Sequence, residues 1–210
     1  MAGRFRDALF FPHEGHVEPR RVLPALHDKL AALDVEIRFG CAREPDELDG
    51  IVIDCRGIAA REAPDAFHDL RGVKGETIVV ETPEIALARP VRLMHPRWPL
   101  YLIPRRDNRI MIGATSIESE DTGLSLRSAL EMLSAAYAVH PAFAEARIVE
   151  FGTGLRPAYP DNLPRITIEG SRIAVNGLYR HGFLIAPALA EMTLAHVTRG
   201  EIDNEVMQCN

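Results

Sequence analysis

Gly154-Leu155-Arg156-Pro157 and, further along, Asn176-Gly177-Leu178-Tyr179-Arg180-His181-Gly182-Phe183-Leu184-Ile185-Ala186-Pro187 decide how this chain reads. The first stretch closes an apolar run, Arg147 to Leu155, that suits a strand, and it sets one guanidinium between Leu155 and Pro157. A guanidinium is a planar fork that matches the two oxygens of a carboxylate. The alternative for Arg156 is an inter-strand ion pair. The second stretch leaves a short strand, Ile173 to Asn176, and turns into a helix that runs to about Arg199, with Pro187 in its first turn and Gly200 as its stop. Gly177 and Gly182 allow close backbone approach, and the leading N–H groups of a helix carry partial positive charge that favours an anion. The alternative is an ordinary strand-to-helix turn, for which two glycines and a proline are common punctuation.

Working outward, Ala8 to Phe11 and Val35 to Phe39 read as strands, and Pro19 opens a helix with Val22, Leu23, Leu26, Leu30 and Leu33 on one face. Ile51-Val52-Ile53 is a continuous apolar run that predicts a strand buried on both faces and ended by Gly57. Glu76 to Glu81 reads as a strand. Leu100 to Pro104 and Arg109 to Ala114 form a hairpin around Asp107-Asn108, residues that tolerate turn conformations. Ser125 caps a helix carrying Leu126, Leu130, Leu133 and Tyr137 at helical spacing, and Pro141 stops it. Arg165 to Ile168 adds a strand. The mixture is α+β with α/β elements.

Composition narrows the functions. A net charge of −6 without a cluster of Lys and Arg argues against nucleic acid, because phosphate binding needs a concentrated positive field. No stretch approaches the roughly 20 apolar residues of a membrane span. Cys41, Cys55 and Cys209 are odd in number and lack metal-ligand spacing, so a reducing cytoplasm fits best. Cys55, in the apolar run, reads as a small buried hydrophobe. His13, His16, His95 and His181 share no helical pair spacing and read as surface or supporting residues rather than metal ligands.

Taken with their order, these segments resemble the D-amino-acid oxidase superfamily, most closely the glycine oxidases of thiamine biosynthesis. Gly154–Pro157 and Asn176–Pro187 are similar to its C-terminal flavin-closing motif, and Phe10–Pro19 to the segment before a helix that leads back to the flavin domain. Ile51–Gly57 is similar to the strand ending in a Gly beside the cofactor, and Val73-Lys74-Gly75-Glu76 to the lead-in to the substrate domain. Tyr101-Leu102-Ile103-Pro104-Arg105 and Ile112-Gly113-Ala114-Thr115 resemble the substrate-side hairpin. The resemblance implies an antiparallel or mixed substrate-domain sheet plus the C-terminal part of an FAD-binding α/β domain. It divides the chain into residues 1–72, a partial FAD-binding domain with a substrate-domain edge segment, 73–146, the substrate-binding domain, and 147–210, the C-terminal part of the FAD-binding domain.

It further implies an FAD-dependent enzyme that oxidises a small amino acid to an imino acid while O2 becomes hydrogen peroxide, homo-oligomeric in its complete form. Arg156 would hold the substrate carboxylate and Tyr101 would add a phenolic hydrogen bond, although a half-buried strand Tyr is the plain alternative. Gly57, Gly177, Tyr179, Arg180, His181, Gly182, Phe183 and Leu184 would contact the cofactor. Ser116 falls near where relatives shape the substrate pocket. Two departures stand out: no Gly-x-Gly-x-x-Gly turn occurs in these 210 residues, and the stretch from Phe39 to Ile51 is too short for the hairpin many relatives carry. Both favour alternatives in which the chain is a truncated, non-catalytic product that cannot retain FAD alone, or one half of a split enzyme whose separate N-terminal chain binds the nucleotide.

Overall fold

The computed structural model describes residues 4–62, 69–97 and 99–209. The chain divides into two compact units: Met1–Gly40, Glu76–Thr115 and Gly123–Thr153 form the first, and Cys41–Gly75, Ser116–Thr122 and Gly154–Asn210 the second. The fold is α+β, as the sequence suggested.

In the first unit, strands β2 (Arg71–Glu81), β3 (Val91–Leu93), β4 (Leu100–Pro104), β5 (Arg109–Gly113) and β6 (Arg147–Ala158) lie in the sheet order β3-β4-β5-β2-β6, with β2 and β6 running on into the second unit. The β3–β4, β4–β5 and β2–β5 pairs are antiparallel. The expected hairpin is present, and Asp107 and Asn108 both take left-handed backbone angles that most side chains resist. Alternate residues Ile78 and Val80, Leu100 and Leu102, and Ile110 and Ile112 point to one buried face. Helix α2 (Leu126–Val139) covers that face, and the Ser125 hydroxyl caps it by accepting from the Ser128 N–H at 3.2 Å. Its buried residues are Ser128, Met132, Ala135, Ala136 and Val139, whereas Leu126, Leu130 and Tyr137 are exposed. The helix thus turns Met132 and its small residues to the sheet, with Leu133 alone of the expected stripe packed partly buried against the same core.

Two expected strands are absent. Ala8–Phe11 and Val35–Phe39 are irregular, and Leu9, Phe10, Phe11, Val35 and Phe39 are all exposed, because an extended run becomes a strand only where a neighbour pairs its N–H and C=O groups. Between them α1 (Pro19–Ala31) forms as read, with Pro19 in its first turn, but it buries none of its residues and Leu33 lies beyond its end.

The second unit holds a mixed sheet in the order β1-β8-β7-β9: β1 (Val52–Asp54), β7 (Arg165–Glu169), β8 (Arg172–Asn176) and β9 (Met207–Cys209). β1 runs parallel to β8, β7 antiparallel to β8 and parallel to β9. Helix α3 (Gly182–Arg199) lays Leu189 on Ile166, Ile168, Ile173 and Met207, while Ala174 faces Ala60, Leu70 and Tyr159 on the other side. Each fully buried Ile contributes about 1.5–3 kcal/mol. Gly200, with φ of 68°, ends α3 as expected. The helix begins five residues before Pro187, so Pro187 sits inside it and not in its opening turn. The first turn closes instead on the His181 carbonyl, which accepts from Leu184 and Ile185 N–H. β1 is an edge strand, so Ile51 and Ile53 are half exposed, contrary to burial on both faces, and Cys55 lies exposed beyond its end.

Gly177 couples backbone to packing here. Its φ is +77°, and an added Cβ would stand 2.3 Å from the ring of the buried Tyr159. Left-handed strain and overpacking together should make Gly177→Ala cost about 2–5 kcal/mol. Gly200→Ala has the same backbone strain but open space around the added methyl, so it should cost only about 1–2 kcal/mol. Urea unfolding midpoints of the two variants check this, and equal losses would remove the Tyr159 contact from the account.

Candidate functional site

Arg156 lies near the end of β6 with its side chain half buried. Its Nη1 donates to the Lys74 carbonyl at 3.3 Å, and its guanidinium rests against Gly75. Burial, and after it the like charge of Arg180, pull its pKa below the ordinary arginine value, opposed by the Tyr179 phenol. Arginine remains cationic throughout, so the shift reports the half-buried setting of the charge.

A knot of backbone contacts surrounds it. Tyr179 takes a left-handed φ of 48°, its N–H donates to the Pro157 carbonyl at 3.1 Å, and its phenol shares a hydrogen bond with the Ser116 hydroxyl at 2.9 Å. Buried Asn176 donates from Nδ2 to the Gly57 carbonyl at 2.9 Å and accepts from the Gly177 N–H at 2.8 Å. Gly57, itself left-handed, neighbours Pro157, and an added Cβ there would make an ordinary 3.8 Å contact with that ring. The structure therefore brings together Gly57, Arg156, Gly177 and Tyr179, with His181 as the N-cap of α3 and Gly182, Phe183 and Leu184 as its first residues. Tyr101 belongs to the first unit, half buried on β4 opposite Gly113, with the Arg92 guanidinium 4.9 Å from its ring centre.

In the segment Ser116–Thr122 sequence reasoning singled out Ser116 alone. The segment's backbone pairs with Lys74, whose N–H donates to the Ile117 carbonyl at 2.9 Å and whose carbonyl accepts from the Ile117 N–H at 3.0 Å. Three ion pairs tie it down: Arg71 to Glu118, Arg61 to Glu120, and the buried Lys74 ammonium to Asp121 at 2.8 Å. The cluster Glu118-Ser119-Glu120-Asp121 was the available signal, but its cationic partners lie about 50 residues away in sequence.

The residues present fit the ring end of a flavin. The pyrimidine edge of that ring becomes anionic on reduction, and α3 opens toward its N-terminus with no acidic residue in its first turn and no side-chain cap, beside the exposed Arg180. For the nucleotide end these 210 residues offer no glycine-rich turn. A separate cavity of about 340 Å3 in the first unit is lined by apolar side chains such as Val80, Leu133, Phe143 and Ile148 and gathers none of these groups. Among the described residues no helix is long and apolar enough to cross a membrane.

Comparison with known proteins gives the family. A protein of Rhizobium etli bearing the name thiamine biosynthesis oxidoreductase ThiO is 54% identical over 191 residues, which are 90% of this chain and 58% of that protein. Glycine oxidase of Pseudomonas putida is 34% identical over 94% of this chain and 60% of its own length. The crystal structure of glycine oxidase from Geobacillus kaustophilus superposes with a TM-score of 0.63 at 26% identity, covering 72% of this chain and 42% of that one. The chain thus spans somewhat under two thirds of the length of the relatives it matches. The family model for FAD dependent oxidoreductases (DAO) matches residues 1–195, and the chain belongs to that family.

Proposed function

We propose that this chain supplies the substrate-carboxylate and flavin-ring contacts of a glycine-type amino-acid oxidase acting in thiamine thiazole formation. The observation that carries the reading is Arg156, a half-buried guanidinium held on a backbone carbonyl beside Tyr179 and Arg180. When bound, FAD would supply a two-electron oxidation in which the Cα hydride and one amine proton leave the amino acid as an imino acid, and two electrons with two protons reduce O2 to hydrogen peroxide. Arg156 pins the carboxylate and so fixes where Cα lies. Tyr101, on β4 of the first unit, carries the phenol to which the family resemblance assigns a substrate hydrogen bond. The first-turn amides of α3, with Arg180, favour negative charge at the ring edge, and the side-chain-free backbone at Gly57 and Gly177 leaves room for the ring. None of these side chains has to carry a proton. In this reading residues 73–146 form the substrate-binding part, and 1–72 with 147–210 belong to the FAD-binding part. Glycine and other small amines are the substrate class, and a reducing cytoplasm suits the free, exposed Cys41 and Cys55.

A second reading, in which another polypeptide supplies the nucleotide-binding half, draws support from the exposed apolar edge at Ile51 and Ile53. Both readings expect the 210-residue chain by itself to hold FAD poorly, because most pyrophosphate and ribose contacts come from the glycine-rich βαβ unit. Purified chain passed through gel filtration after incubation with FAD should be nearly colourless. Joined to the dinucleotide-binding half of the Rhizobium relative, it should become yellow and release hydrogen peroxide with glycine. Full flavin occupancy of the chain alone would overturn the first expectation, and a yellow hybrid inert toward every small amino acid would overturn the second.

A further inference from the structure

We infer that Gly75 is the seat of Arg156, a positioning residue whose missing side chain lets the guanidinium lie where a substrate monocarboxylate needs it. This rests on the reading of Arg156 as the carboxylate anchor.

Gly75 stands inside β2, half buried, and its φ is not left-handed, so neither a turn nor backbone strain calls for glycine there. Strand interiors disfavour glycine unless something approaches the backbone closely. What approaches is Arg156: a Cβ on Gly75 would stand 2.3 Å from Nη2, 2.4 Å from Cζ and 2.5 Å from Nη1, and these are its three nearest atoms. Near-equal distances to three atoms of one plane mean that the face of the guanidinium lies against the place a Gly75 Cβ would take. The same pose lets Nη1 reach the Lys74 carbonyl, which also accepts from the Ile117 N–H. The pose is therefore fixed from two sides, by the absent methyl below and by a carbonyl already anchored to Ser116–Thr122. Gly177 makes a useful contrast, since there the obstructing group is a rigid, buried ring. At Gly75 it is the far end of a flexible side chain, so a methyl would swing the guanidinium away and leave the backbone in place.

Labelling by phenylglyoxal, followed by mass spectrometry of the purified chain, tests this with glycolate as the carboxylate probe. In Gly75→Ala the labelling rate of Arg156 should rise several-fold while that of Arg172, held by Asp54, stays at the parental value. Melting temperature should remain within about 2 °C of the parent or rise, since alanine is no worse than glycine in a strand. Glycolate should protect Arg156 in the parent, and half-protection of the variant should need about tenfold more of it, the worth of one misplaced charge-assisted contact. Parental labelling and parental protection in Gly75→Ala would overturn the inference. So would faster labelling of Arg172 with a lowered melting temperature, which would make Gly75 a structural residue. Failure of the reading beneath it looks different: Arg156 labelling rises in Gly75→Ala, yet glycolate protects Arg156 in neither protein and stabilises Arg156→Ala as well as the parent.

Discussion

Arg156→Ala, in an enzyme completed with a dinucleotide-binding half, is expected to lose about two to four orders of magnitude in kcat/KM, or roughly 3–5 kcal/mol of transition-state binding. Two losses combine. The carboxylate is left without its counter-charge in a place where Arg156 itself is already short of solvent, and Cα is no longer held over the oxidising ring. Flavin content should stay near the parental level, because the ring contacts proposed here come from the α3 end and from the backbone at Gly57 and Gly177. Arg156→Lys should recover only part of the activity, since an ammonium carries the charge without the planar fork and cannot span both oxygens. Tyr101→Phe should cost less, about 1.5–3 kcal/mol, as one hydrogen bond to a charged group. Steady-state kinetics with glycine alongside the flavin absorbance of each variant provide the check. Loss of flavin in step with activity would move Arg156 to a structural role, and parental kinetics would remove it from the site.

What could be read from the sequence divides by the range of the interaction. The hairpin at Asp107-Asn108, the Ser125 cap, the stop before Pro141 and the Gly200 stop are all local, and each appears where its residue type calls for it. Ala8–Phe11 and Val35–Phe39 have the composition of strands but no strand beside them, and composition does not reveal a missing neighbour. On α2 the larger apolar residues drew attention, whereas the sheet takes Met132, Ala135, Ala136 and Val139 because small side chains let two backbones come close. Three apolar residues in a row, Ile51-Val52-Ile53, read as a strand buried on both faces, and the sheet order makes β1 an edge. The candidate site follows the same rule. Arg156, Gly57, Gly177 and the α3 start stand in short motifs. The Ser116 contact to Tyr179 spans 63 positions and the Lys74 pair with Asp121 spans 47, so neither leaves a mark that a single sequence can display.

Asp54→Ala should cost about 3–5 kcal/mol of stability, concentrated in the β1 edge of the second unit. The Asp54 side chain is 1% exposed at the end of a three-residue strand, and it accepts four hydrogen bonds. Arg56 provides three, from N–H and Nε at 3.1 Å and Nη2 at 3.0 Å, and Arg172 provides the fourth from Nη2 at 3.0 Å. Because Ile51 and Ile53 remain half exposed, this carboxylate adds to the backbone ladder in holding β1 against β8, where apolar burial is small. Removing it takes the shared acceptor from two guanidinium groups, the largely buried one of Arg172 and that of Arg56, which keeps Glu44 at 2.9 Å. The pH dependence follows from the same contacts. Burial pushes the Asp54 pKa up, but the bonds from Arg56 and Arg172 outweigh it and hold the carboxyl below its ordinary value. A carboxyl whose folded pKa lies below its unfolded one stabilises fully above the unfolded value, near 4, and loses that contribution as pH falls through the folded value. The difference in urea midpoint between the parent and Asp54→Asn should accordingly be largest at neutral pH and shrink below about pH 4. Hydrogen exchange should show β1 opening first in both variants, ahead of β7 and β8. A difference that grows on acidification, or an Asp54→Ala chain that unfolds at the parental midpoint, would mean that the arginine cluster decorates the edge without holding it.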